Sequence, residues 1–178
     1  MNIIITGFMG TGKSAVGRRL AKKLRMEYLD TDDLIEERDG SKICHIFEEK
    51  GESYFRRLES AIVREVSHLD NYVISTGGGV VLRDENIKAL KRNGLIICLA
   101  ANSETILKRT TGIQDRPLLN EPDPVRKIEE LLRMRQPYYG KADFSVQTSN
   151  LAVEEVTRRI QEFLRKKDEG CSCRPGGA

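Results

Sequence analysis

The sequence predicts an α/β fold, a parallel sheet covered by helices on both faces. Three observations predict it. Short β-branched runs alternate with longer stretches whose apolar residues recur at helical spacing. The runs are apolar throughout rather than alternating, as strands buried on both faces must be. A glycine-rich turn joins the first run to the first helical stretch, the usual connection in strand–helix folds.

The elements follow in order. Residues 2–6 (NIIIT) are a continuous apolar run and read as a buried strand. Residues 13–24 follow as a helix, with Val16, Leu20 and Leu24 on one face. Residues 27–30 form a second short strand, and helices are expected near 33–38 and 53–67. Residues 72–76 (YVIST) are a strand that runs into three glycines; a helix near 84–92 follows. Residues 95–100 (LIICLA) are another strand, then come helices near 103–109 and 125–135. A weaker strand at 144–147 and a helix at 153–166 complete the pattern. There is no internal repeat. Residues 110–124 are rich in Gly, Pro, Asn and Asp with little periodicity, the mark of a functional or mobile loop. Residues 168–178 (DEGCSCRPGGA) are polar and glycine-rich and are expected to be a disordered tail. Residues 1–167 thus make a single domain, as 178 residues allow.

Composition narrows the function. Thirty basic and 27 acidic residues leave a net charge of +3. No global field calls for nucleic acid or a membrane surface as partner, so an anionic ligand must be held by a local cluster. The amino terminus enters a glycine loop directly and has no basic leader, and no apolar run is long enough to span a membrane. Four cysteines, at 44, 98, 171 and 173, show no disulfide framework, which points to the reducing cytoplasm. Cys171 and Cys173, with no histidine nearby, make a poor metal site. His45 and His68 have no partner pattern and are expected on helix surfaces.

Residues 7–14 read Gly-Phe-Met-Gly-Thr-Gly-Lys-Ser, a complete G-x-x-x-x-G-K-[ST] phosphate loop between a strand and a helix. Glycines 7, 10 and 12 let backbone N–H groups face one concave spot, and the following helix turns its positive end to the same place. Lys13 adds a point charge for the β- and γ-phosphates, and the Ser14 hydroxyl can ligate Mg²⁺. The loop alone does not separate kinases from hydrolases or switches.

Five further features bear on a phosphate acceptor. Asp30-Thr31-Asp32-Asp33 sits at the end of the second strand, on the ligand face of an open sheet. One carboxylate there can orient Mg²⁺ water and another can act as base; helix N-capping is the alternative, and both can hold. Arg56 and Glu59 are three apart on a helix, so a carboxylate can lock the guanidinium for a substrate carboxylate; a solvated ion pair is the other reading. Gly77-Gly78-Gly79 exposes backbone N–H groups at a strand end, or is a plain loop. No aspartate stands at that strand end, where many phosphate-loop proteins carry one. Arg116 lies in the irregular segment, able to close over the γ-phosphate or simply solvated. Arg135 precedes Pro137, which is expected to end or kink its helix and fix where the arginine points; serving the helix dipole is its plainer role.

Taken in chain order, GFMGTGKS, LDTD, FRRLE, TGGG, RPLL and RQPYY resemble the shikimate kinase family over roughly residues 2–165. The resemblance implies a three-layer α/β/α P-loop kinase fold of nucleoside-monophosphate-kinase type with a five-stranded parallel sheet. It implies a shikimate-binding subdomain at about 31–62 and a lid at about 110–124. The implied activity is transfer of the γ-phosphate of ATP to the 3-hydroxyl of shikimate, with Mg²⁺, in a monomeric cytoplasmic enzyme. Gly10, Thr11, Gly12, Lys13, Ser14 and Ala15 would hold the nucleotide phosphates, Arg109 would lie against adenine, and Arg116 would be the lid arginine. Ser14 and Asp30 would serve the metal. Asp32 would bind the substrate hydroxyls and act as base. Arg56 and Arg135 would grip the carboxylate, with Gly77, Gly78 and Gly79 lining the site and Phe47 and Phe55 walling the ring. Where the family often has an Asn-Arg-type motif beside the adenine, this chain reads Thr148-Ser149-Asn150-Leu151. The rival readings are a gluconate kinase-like enzyme, a nucleoside monophosphate kinase, and a non-catalytic ATP-binding switch module.

Overall fold

The computed structural model describes residues 1–111 and 123–172, with side chains through residue 169. In chain order the elements are β1 (Asn2–Gly7), α1 (Lys13–Leu24), β2 (Glu27–Asp30), α2 (Thr31–Asp39) and α3 (Ile43–Val66), then β3 (Tyr72–Ser75) and a 3-10 turn (Val80–Leu82). After these come α4 (Asp84–Lys91), β4 (Gly94–Ala100), α5 (Ser103–Thr110), α6 (Pro124–Tyr139), β5 (Phe144–Gln147) and α7 (Val153–Ser172). The five strands form one sheet in the order β2-β3-β1-β4-β5, and every pairing is parallel.

Strand pleating divides the apolar runs between two cores. Ile4, Ile74 and Ile96, which are in register across β1, β3 and β4, face a cluster with Ile35, Ile46, Phe55, Ile62 and Leu90. Ile3, Ile5, Ile97 and Leu99 face the opposite cluster, against Val16 and Leu20 of α1 and Val156 and Ile160 of α7. These are the helix, sheet and helix layers. A smaller cluster of Phe8, Ala101, Ile106 and Ile128 ties α5 and α6 to the turn after β1. The chain builds β2 and β3 on one side of β1 and β4 and β5 on the other, and ligands of open sheets bind at strand C-termini near such a reversal. Among the described residues no helix is long and apolar enough to cross a membrane.

Three helix limits differ from the sequence expectation. α3 begins at Ile43 and contains a break at Gly51 (φ 78°, ψ 166°), so Phe47 and Phe55 lie on two helical pieces. α6 continues through Pro137 to Tyr139. The proline replaces an N–H that would bond to Arg133, and both positions are exposed, so water can serve the freed carbonyl. α7 runs on to Ser172, five residues into the stretch expected as tail, because no breaker interrupts Lys166 to Glu169.

Gly7 fixes how closely β1 and β4 approach at the ligand end. Its φ is 141°, and a Cβ there would stand 2.2 Å from the Leu99 carbonyl oxygen. We predict that Gly7→Ala destabilises the fold by about 2–3 kcal/mol. Thermal unfolding should show a Tm lower by about 5–10 °C; an unchanged Tm would contradict this packing constraint.

Candidate active site

The turn from Gly7 to Ser14 puts Gly10 (φ 73°) and Gly12 (φ 93°) in the left-handed region. α1 then starts with no side-chain cap and no acidic residue in its first turn, so its amides and positive dipole end are left for an anion. Thr11 braces the turn, its Oγ1 donating to the Phe8 carbonyl at 2.7 Å. Lys13 Nζ donates to the same carbonyl at 3.0 Å, which keeps the ammonium at the loop.

Asp30 is both cap and acceptor. Its Oδ1 accepts from the Asp32 N–H (3.1 Å), and its Oδ2 accepts from Ser14 Oγ (3.0 Å) and Tyr28 Oη (3.1 Å). A carboxylate beside a hydroxyl at the phosphate loop is the hard-oxygen pair that Mg²⁺ takes when phosphates and water complete its shell. Among the described residues no group of three His, Cys, Asp or Glu forms an all-protein metal cage. Sequence reasoning missed Tyr28, whose hydroxyl reaches back from two residues before Asp30.

The glycine run at the end of β3 brings the acceptor side together. A Cβ on Gly77 would lie 2.7 Å from Asp32 Oδ1 and 3.2 Å from Glu59 Oε1. On Gly78 it would lie 3.0 Å from the Gly7 carbonyl and 3.6 Å from Arg135 Nη1. On Gly79 it would fall 2.2 Å from Arg56 Nη1. The run is therefore no plain loop: missing side chains are what let Asp32, Glu59, Arg56 and Arg135 reach one strand end. The Gly77 N–H donates to Thr31 Oγ1 at 3.3 Å.

Arg56 and Glu59 form a buried pair rather than a solvated one. Their closest contact is 2.9 Å, their side chains are 15% and 1% exposed, and Glu52 adds a second contact at 3.2 Å. Burial opposes the guanidinium charge, but Glu59 and Glu52 outweigh it, and Arg56 is held above its usual value. Arg135 lies over the Phe8 ring, 5.2 Å from its centroid. One turn further along α6, Tyr139 Oη donates to the Gly78 carbonyl at 3.0 Å. Phe47 and Phe55 pack with centroids 4.6 Å apart and planes inclined at 34°, an apolar wall beside Arg56.

Arg109 ties α5 to the glycine-rich turn. Its guanidinium donates to the Gly10 carbonyl (3.2 Å), Thr148 Oγ1 (3.2 Å) and the Thr148 carbonyl (2.9 Å). Thr148 Oγ1 donates in turn toward the Thr11 and Ala100 carbonyls, both at 3.1 Å. Thr148 was not among the expected site residues, although a polar residue just after β5 on the ligand face was a usable signal. Arg116 and most of the expected lid lie outside the described residues. Cys98 is a buried thiol pushed up to about 11 by burial, as suits an inert core cysteine.

The family model described as shikimate kinase matches residues 9–165. A shikimate kinase of Caldanaerobacter subterraneus subsp. tengcongensis is 48% identical over 167 residues, covering 93% of this chain and 98% of that one. The solved structure of shikimate kinase from Acinetobacter baumannii in complex with shikimate superposes with a TM-score of 0.89 at 35% identity, covering 93% of each chain. A gluconokinase from Sinorhizobium meliloti 1021 superposes with a TM-score of 0.65 at 14% identity over 96% of this chain and 95% of that one, a likeness of fold alone.

Asp32 Oδ1 is buried without a hydrogen-bond partner among the described residues. Burial first, then the charge of Asp30, push this carboxyl from 3.8 up to about 7, while Lys13 pulls it down. A folded value above the unfolded one means that its stability contribution is complete below pH of about 4 and is lost as pH rises through about 7. We predict that the nucleotide-free protein loses Tm between about pH 4 and 7, and that Asp32→Asn flattens this loss. Above about pH 7 the variant should melt several degrees higher than the wild type, and the gap should close as pH falls toward about 4. A wild-type slope in the variant would remove Asp32 as its source.

Proposed function

This chain belongs to the shikimate kinase family, whose members transfer a phosphoryl group from ATP to shikimate in aromatic amino-acid biosynthesis (EC 2.7.1.71), and from that activity we propose the part each site residue plays. The observation that carries the reading is the unpartnered, buried Asp32 oxygen beside a bare glycine run that two arginines also approach. A carboxylated polyol matches it: the carboxylate takes the guanidiniums of Arg56 and Arg135, and a hydroxyl donates to Asp32. Phe47 and Phe55 cover the apolar side of the ring.

Phosphoryl transfer needs position and charge more than covalent help. Asp32 accepts the proton of the shikimate 3-hydroxyl as that oxygen bonds to the γ-phosphorus, and the bond to the β,γ-bridging oxygen breaks to leave ADP. A base near 7 is suited to this task. The Gly10–Ala15 amides and Lys13 hold the phosphates, and Arg109 borders the nucleotide site through Gly10 and Thr148. Ser14 would hold Mg²⁺ directly and Asp30 through water; when bound, the ion offsets phosphate charge. One chain supplies every group named here, so the proposed site needs no second copy.

Coupled ADP release with shikimate, with gluconate and without acceptor tests the reading. Turnover is expected with shikimate alone. Equal turnover on gluconate would favour that rival, and ATP binding without acceptor-dependent turnover would favour a switch module. Lys13→Ala should lower kcat/KM at least about 100-fold. Arg135→Ala should raise the shikimate KM about 10- to 100-fold with a smaller change in kcat. A large fall in kcat at constant KM would contradict that role for Arg135.

A further inference from the structure

We propose that Tyr139 is a positioning residue of the acceptor pocket, which holds the Gly78 carbonyl and so aims the Gly79 N–H at the bound acid. The proposal rests on the site reading above and extends it to a residue that touches neither substrate. Three observations support it.

The first is the geometry of the glycine run. Tyr139 Oη donates to the Gly78 carbonyl at 3.0 Å. In a planar trans peptide the C=O and the following N–H point opposite ways. Fixing the Gly78 carbonyl on Tyr139 therefore turns the Gly79 N–H away from that ring, while Arg56 packs against the Gly79 α-carbon. The Gly77 N–H is already taken by Thr31. Among the described residues no protein acceptor takes the N–H of Gly78 or Gly79, so both remain for a ligand. The Val80 N–H bonds to the Gly77 carbonyl at 3.2 Å and closes a turn over the run, but such a turn tolerates either orientation of its central Gly78–Gly79 peptide, and Tyr139 holds that peptide.

The second is the position on α6. Arg135 and Tyr139 are four residues apart and share a helix face. Arg135 Nη1 lies 3.6 Å from where a Gly78 Cβ would be. One helix thus presents the guanidinium and anchors the backbone beside it, which sets the spacing between two donors to the same acid. This works only because α6 continues through Pro137.

The third is what lies behind the ring. Tyr139 borders a cavity of about 590 Å³, shared with Phe8, Cys98, Leu132 and Ser145. The ring also packs against the core cluster that contains Val80 and Val81, which brings its hydroxyl to the glycine run. Burial also pushes the hydroxyl up to about 12 against the pull of Arg135, which keeps it a donor at working pH.

The test is steady-state kinetics of Tyr139→Phe, Arg135→Lys and the double variant, with thermal unfolding of each. Phenylalanine keeps the ring and removes only the donor. For Tyr139→Phe the expected result is a shikimate KM raised about three- to tenfold, with ATP KM and kcat within about twofold. In the Arg135→Lys background the same change should add less than about twofold, because the two residues act on one acid. Three outcomes overturn the proposal: an unchanged shikimate KM in Tyr139→Phe, equal rises in both KM values, or full multiplication in the double variant. If Arg135→Lys itself leaves the shikimate KM unchanged, the site reading fails and takes this inference with it. A Tyr139→Phe failure beside an intact Arg135 effect sinks the inference alone.

Discussion

Four ionisable side chains converge on the end of β3 because three consecutive residues there have none. A methyl group on Gly77 would strike Asp32, and one on Gly79 would strike the Arg56 guanidinium. The rest of the site follows from this emptiness. Asp32 can sit beneath the backbone, Arg56 can lie flat against it, and Arg135 can approach from α6. The same bare backbone leaves amide donors between the two guanidiniums, a combination suited to a planar carboxylate.

Such a pocket is costly to keep folded. An unpartnered buried acceptor costs about 1–3 kcal/mol, and a carboxylate held with Asp30 and Glu59 nearby resists ionisation. In the Arg56–Glu59 pair the guanidinium keeps its charge, while burial holds the Glu59 carboxyl above its usual value against the pull of Arg56. These tensions lie at the strand C-termini, the end of an open sheet where ligands bind. The two cores on either face of the sheet contain few polar groups and supply the burial that offsets them.

The nucleotide side is assembled by parts far apart in sequence. Arg109 of α5 and Thr148 after β5 both bond to carbonyls of the first turn, at Gly10 and Thr11. The loop is therefore clamped from the β4–β5 side as well as by its own Thr11 and Lys13 bonds. Those carbonyls point back into protein, which turns the intervening amides toward the ligand.

Much of this was legible beforehand. The five strands, the order of helices and the phosphate loop are written in local periodicity and turn chemistry, which a chain expresses within a few residues. Asp30, Asp32 and Arg56 were visible as short motifs at the ends of elements. Pro137 does not end α6, because a proline is tolerated in an exposed last turn, and the turn beyond the expected limit at 135 carries Tyr139. Tyr28, Thr148 and Tyr139 gain their roles from partners that only folding brings near. The amino-acid order alone determined which segments become strands and helices and where phosphate can bind, since those depend on near neighbours. Tertiary structure decided which charges share the glycine run and which hydroxyls hold its backbone, because long-range packing sets those distances.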